Sequence, residues 1–269
     1  MCIRDRYKDS ALKEELQSIF GTKCAYCESD FGAVTPEDIE HFRPKSSISR
    51  PQKEDIKPGY YWMAADWENL LLSCPDCNRA RKHRVAGQPR KVLLGKSDQF
   101  PLKDNLKRIR SHLSTPEDLQ KENQNRLLLH PNIDNPEDHL DFDEQGFVFP
   151  KKKGGKISEK GKVSIFVYAL GRSGLVKARH IEISRLIHRI NELSLSIDQY
   201  HNYVNNGESE NVINDKKNDM IRAMRAVKES ISPNMPYLAA KKSVIKKRAA
   251  TGLFIRLEKV GINLPELVS

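Results

Sequence analysis

The sequence predicts an α+β fold, mainly α, in which a metal-stapled β–β–α unit sits between an N-terminal helix and a C-terminal helical bundle. Three observations predict it. Two Cys-x-x-Cys pairs, Cys24/Cys27 and Cys74/Cys77, are separated by 46 residues. Leu70-Leu71-Leu72 reads as a short buried strand, and Pro75, directly after Cys74, suits the first turn of a helix. From Leu175 onward, apolar residues recur at alternating spacings of four and three, as on packed helices.

The cysteine pairs come first because they constrain the most chain. Two Cys separated by two residues can both face one ion from a tight turn, and two such turns complete the tetrahedral set of thiolates that Zn2+ takes. A gap of 46 residues exceeds what a compact zinc ribbon needs, so the ion ties together the ends of an inserted unit. Two disulfides are the alternative. The N-terminus shows no charged region followed by an apolar one, which points to a cytoplasmic chain with reduced thiols and favours Zn2+. With four protein ligands the ion has no open position, so its expected role is structural.

Between the pairs lie Glu40-His41 in DIEHFRPKS (38–46) and Asn69 in WENLLL (67–72); Asn78 follows the last cysteine. Hydrolysis of a phosphodiester needs a base for water and a divalent cation to offset phosphate charge. An imidazole such as His41 titrates near neutral pH. A carboxylate such as Glu40 and an amide oxygen such as Asn78 are hard donors suited to Mg2+ or Mn2+. Asn69, just before the strand, can fix the loop that carries the base. Taken alone, a His is usually a satisfied polar residue and an Asn a cap or turn. Their joint order inside a zinc staple carries the reading.

Glu40-His41, Asn69-Leu70 and Cys77-Asn78 resemble the HNH (ββα-metal) endonuclease pattern, with Asn in the third motif position. The longer stretches CAYCE (24–28), DIEHFRPKS (38–46), YYWMAADWENLLLSC (60–74) and CNRARK (77–82) resemble the HNH subunit of Septu-type phage-defence systems, the PtuB-like family, and some retron-associated effector nucleases. The resemblance is dense over 23–82 and thinner beyond, with RLLLHPNIDNPEDHL (126–140) weakly similar. It implies His41 as general base, Glu40 and Asn78 as ligands of a catalytic Mg2+ or Mn2+, Asn69 as loop-orienting residue and Cys24, Cys27, Cys74 and Cys77 as zinc ligands. It also implies cleavage to 5′-phosphate and 3′-hydroxyl ends, and a partner ATPase of the ABC/SMC-like class (PtuA-like). DNA is the substrate favoured on family grounds; RNA, including tRNA, is the alternative. A noncatalytic zinc module binding nucleic acid or protein is the rival from another class.

Composition is compatible with this. The 269 residues carry a net charge of +10, unevenly spread: residues 1–150 hold 23 Lys and Arg against 25 Asp and Glu, and the remainder 23 against 11. Such asymmetry points to a polyanionic partner or to a solvated helical surface. Mean hydropathy is −0.64, and no apolar run approaches the roughly 20 residues that span a bilayer.

In chain order, Met1–Arg6 fit no motif and Cys2 is most simply a free thiol. Residues 9–20 predict a helix with Leu12, Leu16, Ile19 and Phe20 on one face, ended by Gly21. A loop with Gly32 and Pro36 follows, then a strand over 39–42. The polar stretch 46–59, with Pro51 and Pro58, reads as a loop. Trp62 and Trp67 read as core in preference to base-stacking residues. A basic run follows Asn78 and includes Lys96. Arg81 and Lys82, placed on the helix of Asn78, are the candidate phosphate contacts. A short helix begins at Ser114 or Thr115 with Pro116 at its first position. Acidic residues in 130–146 read as capping carboxylates, and 146–149 as a strand. Leu186, Ile190, Leu193, Ile197, Tyr200 and Val204 form one helical seam, and Met220, Met224, Val227 and Ile231 a second. Asn205-Asn206-Gly207 joins them, and Leu238–Leu257 is a third helix bearing Lys241, Lys242, Lys246, Lys247 and Arg248. The expected domains are a nuclease core over 7–112, a connecting region over 113–174 and a basic helical bundle over 175–269. The bundle is either purely intramolecular, a docking surface for the ATPase or a clamp on nucleic acid.

Overall fold

A computed structural model describes residues 10–248 except 33, 34, 36, 37 and 51. The expectations for Met1–Arg6, Cys2, Pro36, Pro51 and the helix beyond 248 lie outside the described residues. The chain divides into two compact units. One contains Met1–Asp141 with Val148–Val176, the other Phe142–Phe147 with Lys177–Ser269.

In the first unit, helix α1 (Ser10–Phe20) is followed by strand β1 (Asp38–His41) and by β2 (Ile48–Arg50) and β3 (Lys53–Ile56). Two 3-10 turns precede β4 (Leu70–Ser73), and α2 is Pro75–Asn78. Then come β5 (Arg81–His83), β6 (Val92–Leu94), α3 (Pro116–Asn125), β7 (Leu140–Phe142, its last residue belonging to the second unit) and β8 (Val148–Pro150). A small hairpin of β9 (Lys152–Lys153) and β10 (Lys156–Ile157) leads to α4 (Glu159–Val167). All sheets among the described residues are two-stranded.

The expected β–β–α order is present. β1 runs antiparallel to β4 with Asp38 opposite Ser73 and His41 opposite Leu70, and α2 follows β4. α1 lies against this pair: Leu16 is buried with Leu70 and Leu72, and Leu12, Phe20 and Ile39 pack around them. Gly21 ends the helix at φ +60°, where glycine is unstrained. Ile19, expected on the packed face, is 53% exposed; the stripe is narrower than the sequence indicates.

Four expectations need correction. The stretch 46–59 is not a plain loop: β2 and β3 pair in it, with buried Ile48 opposite Ile56 as its apolar anchor. Trp67 is 44% exposed and is not core. It opens a 3-10 turn capped by Asp66, which turns Asn69 inward and leaves the indole outside. Tyr60 and Met63 are buried instead. Arg81 and Lys82 are not on the helix of Asn78. α2 stops at Asn78 because the carbonyls of Cys77 and Asn78 accept from the backbone N–H groups of Lys96 and Ser97. The chain then extends into β5, where Lys82 pairs with Leu93 of β6. Both side chains remain exposed, and Arg81 donates to Asp76 at 3.2 Å. Finally, Lys96, counted in the basic run, is wholly buried.

α3 begins as expected, with a capping box between Thr115 and Asp118 and Pro116 in its first turn. Its buried Glu122 anchors a polar network. The carboxylate accepts from Arg43 Nε (2.9 Å), Tyr60 Oη (2.8 Å) and Ile109 N (2.8 Å), and Arg108 Nη1 donates to Tyr60 Oη (2.9 Å). The acidic stretch also fits its capping reading. Asp134 accepts from His130 N at 2.7 Å and pairs with Arg126 and Lys160, and Asn135 caps the turn after it.

In the second unit, α5 (Ser173–Asn205, its first residues belonging to the first unit), α6 (Glu210–Ser230) and α7 (Leu238–Arg248) share a core. Leu186, Ile190, Leu193 and Ile197 meet Met220, Val227 and Ile245, so both predicted seams pack, although Val204 is 41% exposed. The basic face of α7 is partly internal. Lys241 is buried on Glu182 at 3.0 Å, Arg248 pairs with Glu144, and Lys247 donates to Phe142 O.

Gly95 allows the turn that stops α2. It sits at φ +123°, and a Cβ there would lie 2.0 Å from Arg79 O. Gly87, at φ +75°, faces open space. Gly95→Ala is therefore expected to cost about 3 kcal/mol or more in urea unfolding and Gly87→Ala about 1 kcal/mol, from backbone strain alone. Equal losses would show that close approach at Gly95 is unimportant.

Candidate metal centre and polar site

Each cysteine pair reaches the centre by a short local structure. In the first, Glu28 takes φ +59° so that its N–H closes on Cys24 O at 2.9 Å, and Ala25 N donates to Leu72 O, docking the turn on β4. In the second, Cys74 is the residue before α2, and Cys77 lies within the helix. All four thiols are buried and unlinked, and their Sγ atoms lie within 4.8 Å of one another. Cys27 and Cys74 Sγ are 3.9 Å apart. A tetrahedron with Zn–S bonds of about 2.3 Å requires sulfurs about 3.8 Å apart, whereas a disulfide requires about 2.05 Å. The four cysteines therefore suit a zinc ion, as the sequence expects. Among the described residues no other His, Cys, Asp and Glu side chains group in this way.

The sequence reasoning overlooked Arg172, which precedes α5. Its guanidinium donates to the sulfurs of Cys77 (3.4 Å), Cys27 (3.5 Å) and Cys74 (3.7 Å). Burial opposes its charge, but the neighbouring cysteines outweigh burial and raise its pKa further. No local pattern marks this residue, because the contact spans 95 positions of sequence from Cys77.

The residues of the motif take distinct places around β1. Successive strand residues face opposite sides, so Glu40 shares a face with Asp38, and His41 faces the other way. His41 is buried, and its Nε2 lies 3.1 Å from Ala64 O. A carbonyl can only accept, so Nε2 carries the proton and Nδ1 the basic lone pair. Burial holds the imidazole pKa down to about 4, against the pull of the Ala64 carbonyl. His41 is thus neutral at physiological pH.

Asn69 is fully buried and clamps the segment after His41. Its Oδ1 accepts from Arg43 N at 2.7 Å, its Nδ2 donates to Arg43 O and Met63 O at 3.1 Å each, and its own carbonyl accepts from Phe42 N. The amide therefore fixes the backbone on both sides of Phe42 and the turn that supplies Ala64.

Glu40 is buried and ion-paired with Lys96, whose amine also donates to His41 O at 2.8 Å. Burial pushes the Glu40 carboxyl up, and Lys96 opposes that shift. Asn78 turns back toward β1, where its Nδ2 donates to Asp38 at 3.1 Å. Arg79 grips the same carboxylate at 2.9 and 2.7 Å. Asp38 was missed, although the two-residue period of a strand places it beside Glu40. Oxygen donors of the kind Mg2+ takes are thus present in Asp38, Glu40 and Asn78, with both acids balanced by side-chain cations.

No protein-family model matches the chain, and no solved structure does. The chain is 36% identical over 176 residues to the Septu protein PtuB of Bacillus mycoides (strain KBAB4), covering 65% of this chain and 52% of that protein. It is 31% identical over 178 residues to the Septu protein PtuA of the same strain, covering 65% of this chain but 21% of that larger protein. The chain thus spans about half the length of one relative and a fifth of the other. Their names attach to whole proteins, and the likeness is to a stretch of each. This similarity likens 65% of the chain to the Septu protein PtuB.

Proposed function

We propose that the chain is a metal-dependent HNH-type endonuclease, the effector subunit of an ATPase-coupled antiphage defence system, acting on DNA. The observation that carries this reading is His41, held neutral on a strand whose next residues are clamped by Asn69. Two hard-donor groups, Glu40 and Asn78, lie on the flanking β1 and α2. Similarity to the Septu protein PtuB supports the defence role, and the resemblance of the 23–82 stretch supports nuclease chemistry and a PtuA-like ATPase partner.

His41 Nδ1 takes the proton of the attacking water, and Nε2 stays bound to Ala64 O, so the ring keeps its orientation through proton transfer. Asn69 holds Phe42 and Arg43 and thereby the end of β1. Glu40 and Asn78 would hold a divalent cation, with Asp38 beside them, once Lys96 yields the Glu40 carboxylate. That ion supplies charge neutralisation at the phosphate. Arg81 and Lys82, exposed on β5, contact backbone phosphates. An open cleft of about 710 Å³ is lined by Lys103, Lys107, Arg110 and Lys121 among others. No described helix is long and apolar enough to cross a membrane.

The Glu40–Lys96 pair favours a second reading, a noncatalytic zinc module whose acid is permanently neutralised. The two are separated by digestion of plasmid and RNA with Mg2+ or Mn2+, with and without the ATPase. The enzyme reading expects cutting that His41→Ala reduces at least a hundredfold while zinc content and circular dichroism stay unchanged. Undiminished cutting by His41→Ala would remove this residue from the mechanism.

The pH dependence follows from burial. His41 and His130 are each held near pKa 4 in the folded chain, below the usual 6.5, so the unfolded chain binds more protons between these values. Stability is full above about pH 6.5 and falls as the pH drops toward 4, which a series of urea midpoints would read. The cleavage rate should show no break near pH 6.5 from His41; a break there would mean that the imidazole is solvated.

Lys96→Met leaves Glu40 buried without its counter-ion and is expected to cost about 3–5 kcal/mol in urea unfolding. Glu40→Gln combined with Lys96→Met should recover most of that loss. An additive double variant would show that the two side chains are not coupled.

A further inference from the structure

The cysteine centre carries a charge that its own ligands do not balance. Zn2+ with four thiolates bears a formal charge of −2, and all four cysteines here are buried. A buried net charge is costly unless a counter-charge lies against it. Arg172 supplies one. It is 7% exposed, and its planar guanidinium reaches three sulfurs at once: Nη1 lies 3.4 Å from Cys77, and Nη2 lies 3.5 Å from Cys27 and 3.7 Å from Cys74. The remaining polar contacts of the guanidinium hold it in place. Nη1 also donates to Ala169 O at 3.1 Å and Tyr168 O at 3.5 Å, and Nε lies 3.7 Å from Asp76. Asp76 is the one carboxylate among these partners, and its side chain is 44% exposed. It therefore competes weakly for the guanidinium.

The backbone around Arg172 is fixed as firmly as the side chain. Residue 172 bridges to Val85, and Ser173 N donates to Arg84 O at 2.8 Å, just after β5. Ala169 takes φ +53° to turn the chain out of α4. One turn earlier, the Tyr168 ring stacks on Tyr26, which lies between the first two cysteines, with centroids 4.1 Å apart and planes at 15°. The segment 168–173 thus folds over the cysteine cluster from outside both pairs.

We propose that Arg172 is a fifth residue of the zinc centre. It touches the sulfurs and not the ion, offsets half of the excess negative charge and retains the metal by making the thiolates poorer targets for protons and competing ligands. The proposal rests on the zinc reading of the four cysteines and is independent of nuclease chemistry. Hydrogen bonds to a metal-bound ligand tune its basicity, and changes at such partners typically alter metal affinity tenfold to a hundredfold. The rigid fork matters as well as the charge: a lysine ammonium is a point charge that cannot span three sulfurs in the same way.

The test uses the full chain as wild type, Arg172→Lys, Arg172→Met and Arg84→Met. Arg84 is an exposed cation of the neighbouring turn. Zinc per chain is measured by atomic emission, and the rate of zinc transfer to excess EDTA is followed with a chromogenic chelator. Circular dichroism checks the fold. The expected result is one zinc per wild-type chain, release at least tenfold faster from Arg172→Met, intermediate release from Arg172→Lys and wild-type release from Arg84→Met. Wild-type release from Arg172→Met overturns the proposal, as does equal acceleration in Arg84→Met. If Arg172→Met does not fold, Arg172→Lys decides: faster release supports the role and wild-type release overturns it. A wild-type chain that purifies without zinc and binds none when it is added sinks the zinc reading, and the proposal with it.

Discussion

The convergence of four buried sulfurs is the constraint on which the first unit depends. Two short turns, 46 residues apart, must bring their thiols within 4.8 Å of one another. This fixes where the intervening chain begins and ends. β1 and β4 then pair inside a closed loop, and the loop-closure entropy is borne by the sulfur cluster instead of by an extended sheet. Around a two-stranded sheet, which is marginal alone, α1 supplies an apolar cover and the cysteine cluster supplies the fixed end.

Buried charge organises the rest of the site. Lys96 ties Glu40 and the carbonyl of His41 to the loop that also caps α2. Arg43, two residues past His41, is held by Glu122 of α3; Tyr60 donates to the same carboxylate, and Arg108 donates to the Tyr60 hydroxyl. Arg43 and Arg108 also lie over the Phe100 ring, 5.3 and 5.8 Å from its centroid. The C-terminal end of β1 and the residues after it are therefore fixed by two buried ion pairs in a low-dielectric setting, where a mismatch would be expensive. Such pairs specify position more than they add stability.

The likeness is to about half of PtuB and a fifth of PtuA, and it does not transfer the behaviour of either whole protein. A stretch resembling both would be a module used in more than one chain context. The division into two compact units fits that view: the cysteine centre and the polar site lie in one, and a helical bundle with its own core lies in the other.

Local signals were legible in the sequence. The cysteine spacing announced the four-thiol cluster, Thr115 and Pro116 announced α3, and the four-three seam announced the packed face of α5. Each is a short-range pattern set by backbone geometry. Glu40, His41, Asn69 and Asn78 could be named as candidates, but not what each one touches. That Lys96 is buried on Glu40, that Arg172 caps the sulfurs, that Asp38 meets Asn78 and that Trp67 faces solvent were decided only by the tertiary structure. Charge and ring chemistry give a side chain its capabilities, but its partner is whichever group long-range packing brings within 3–4 Å, and no periodicity along the chain encodes that choice.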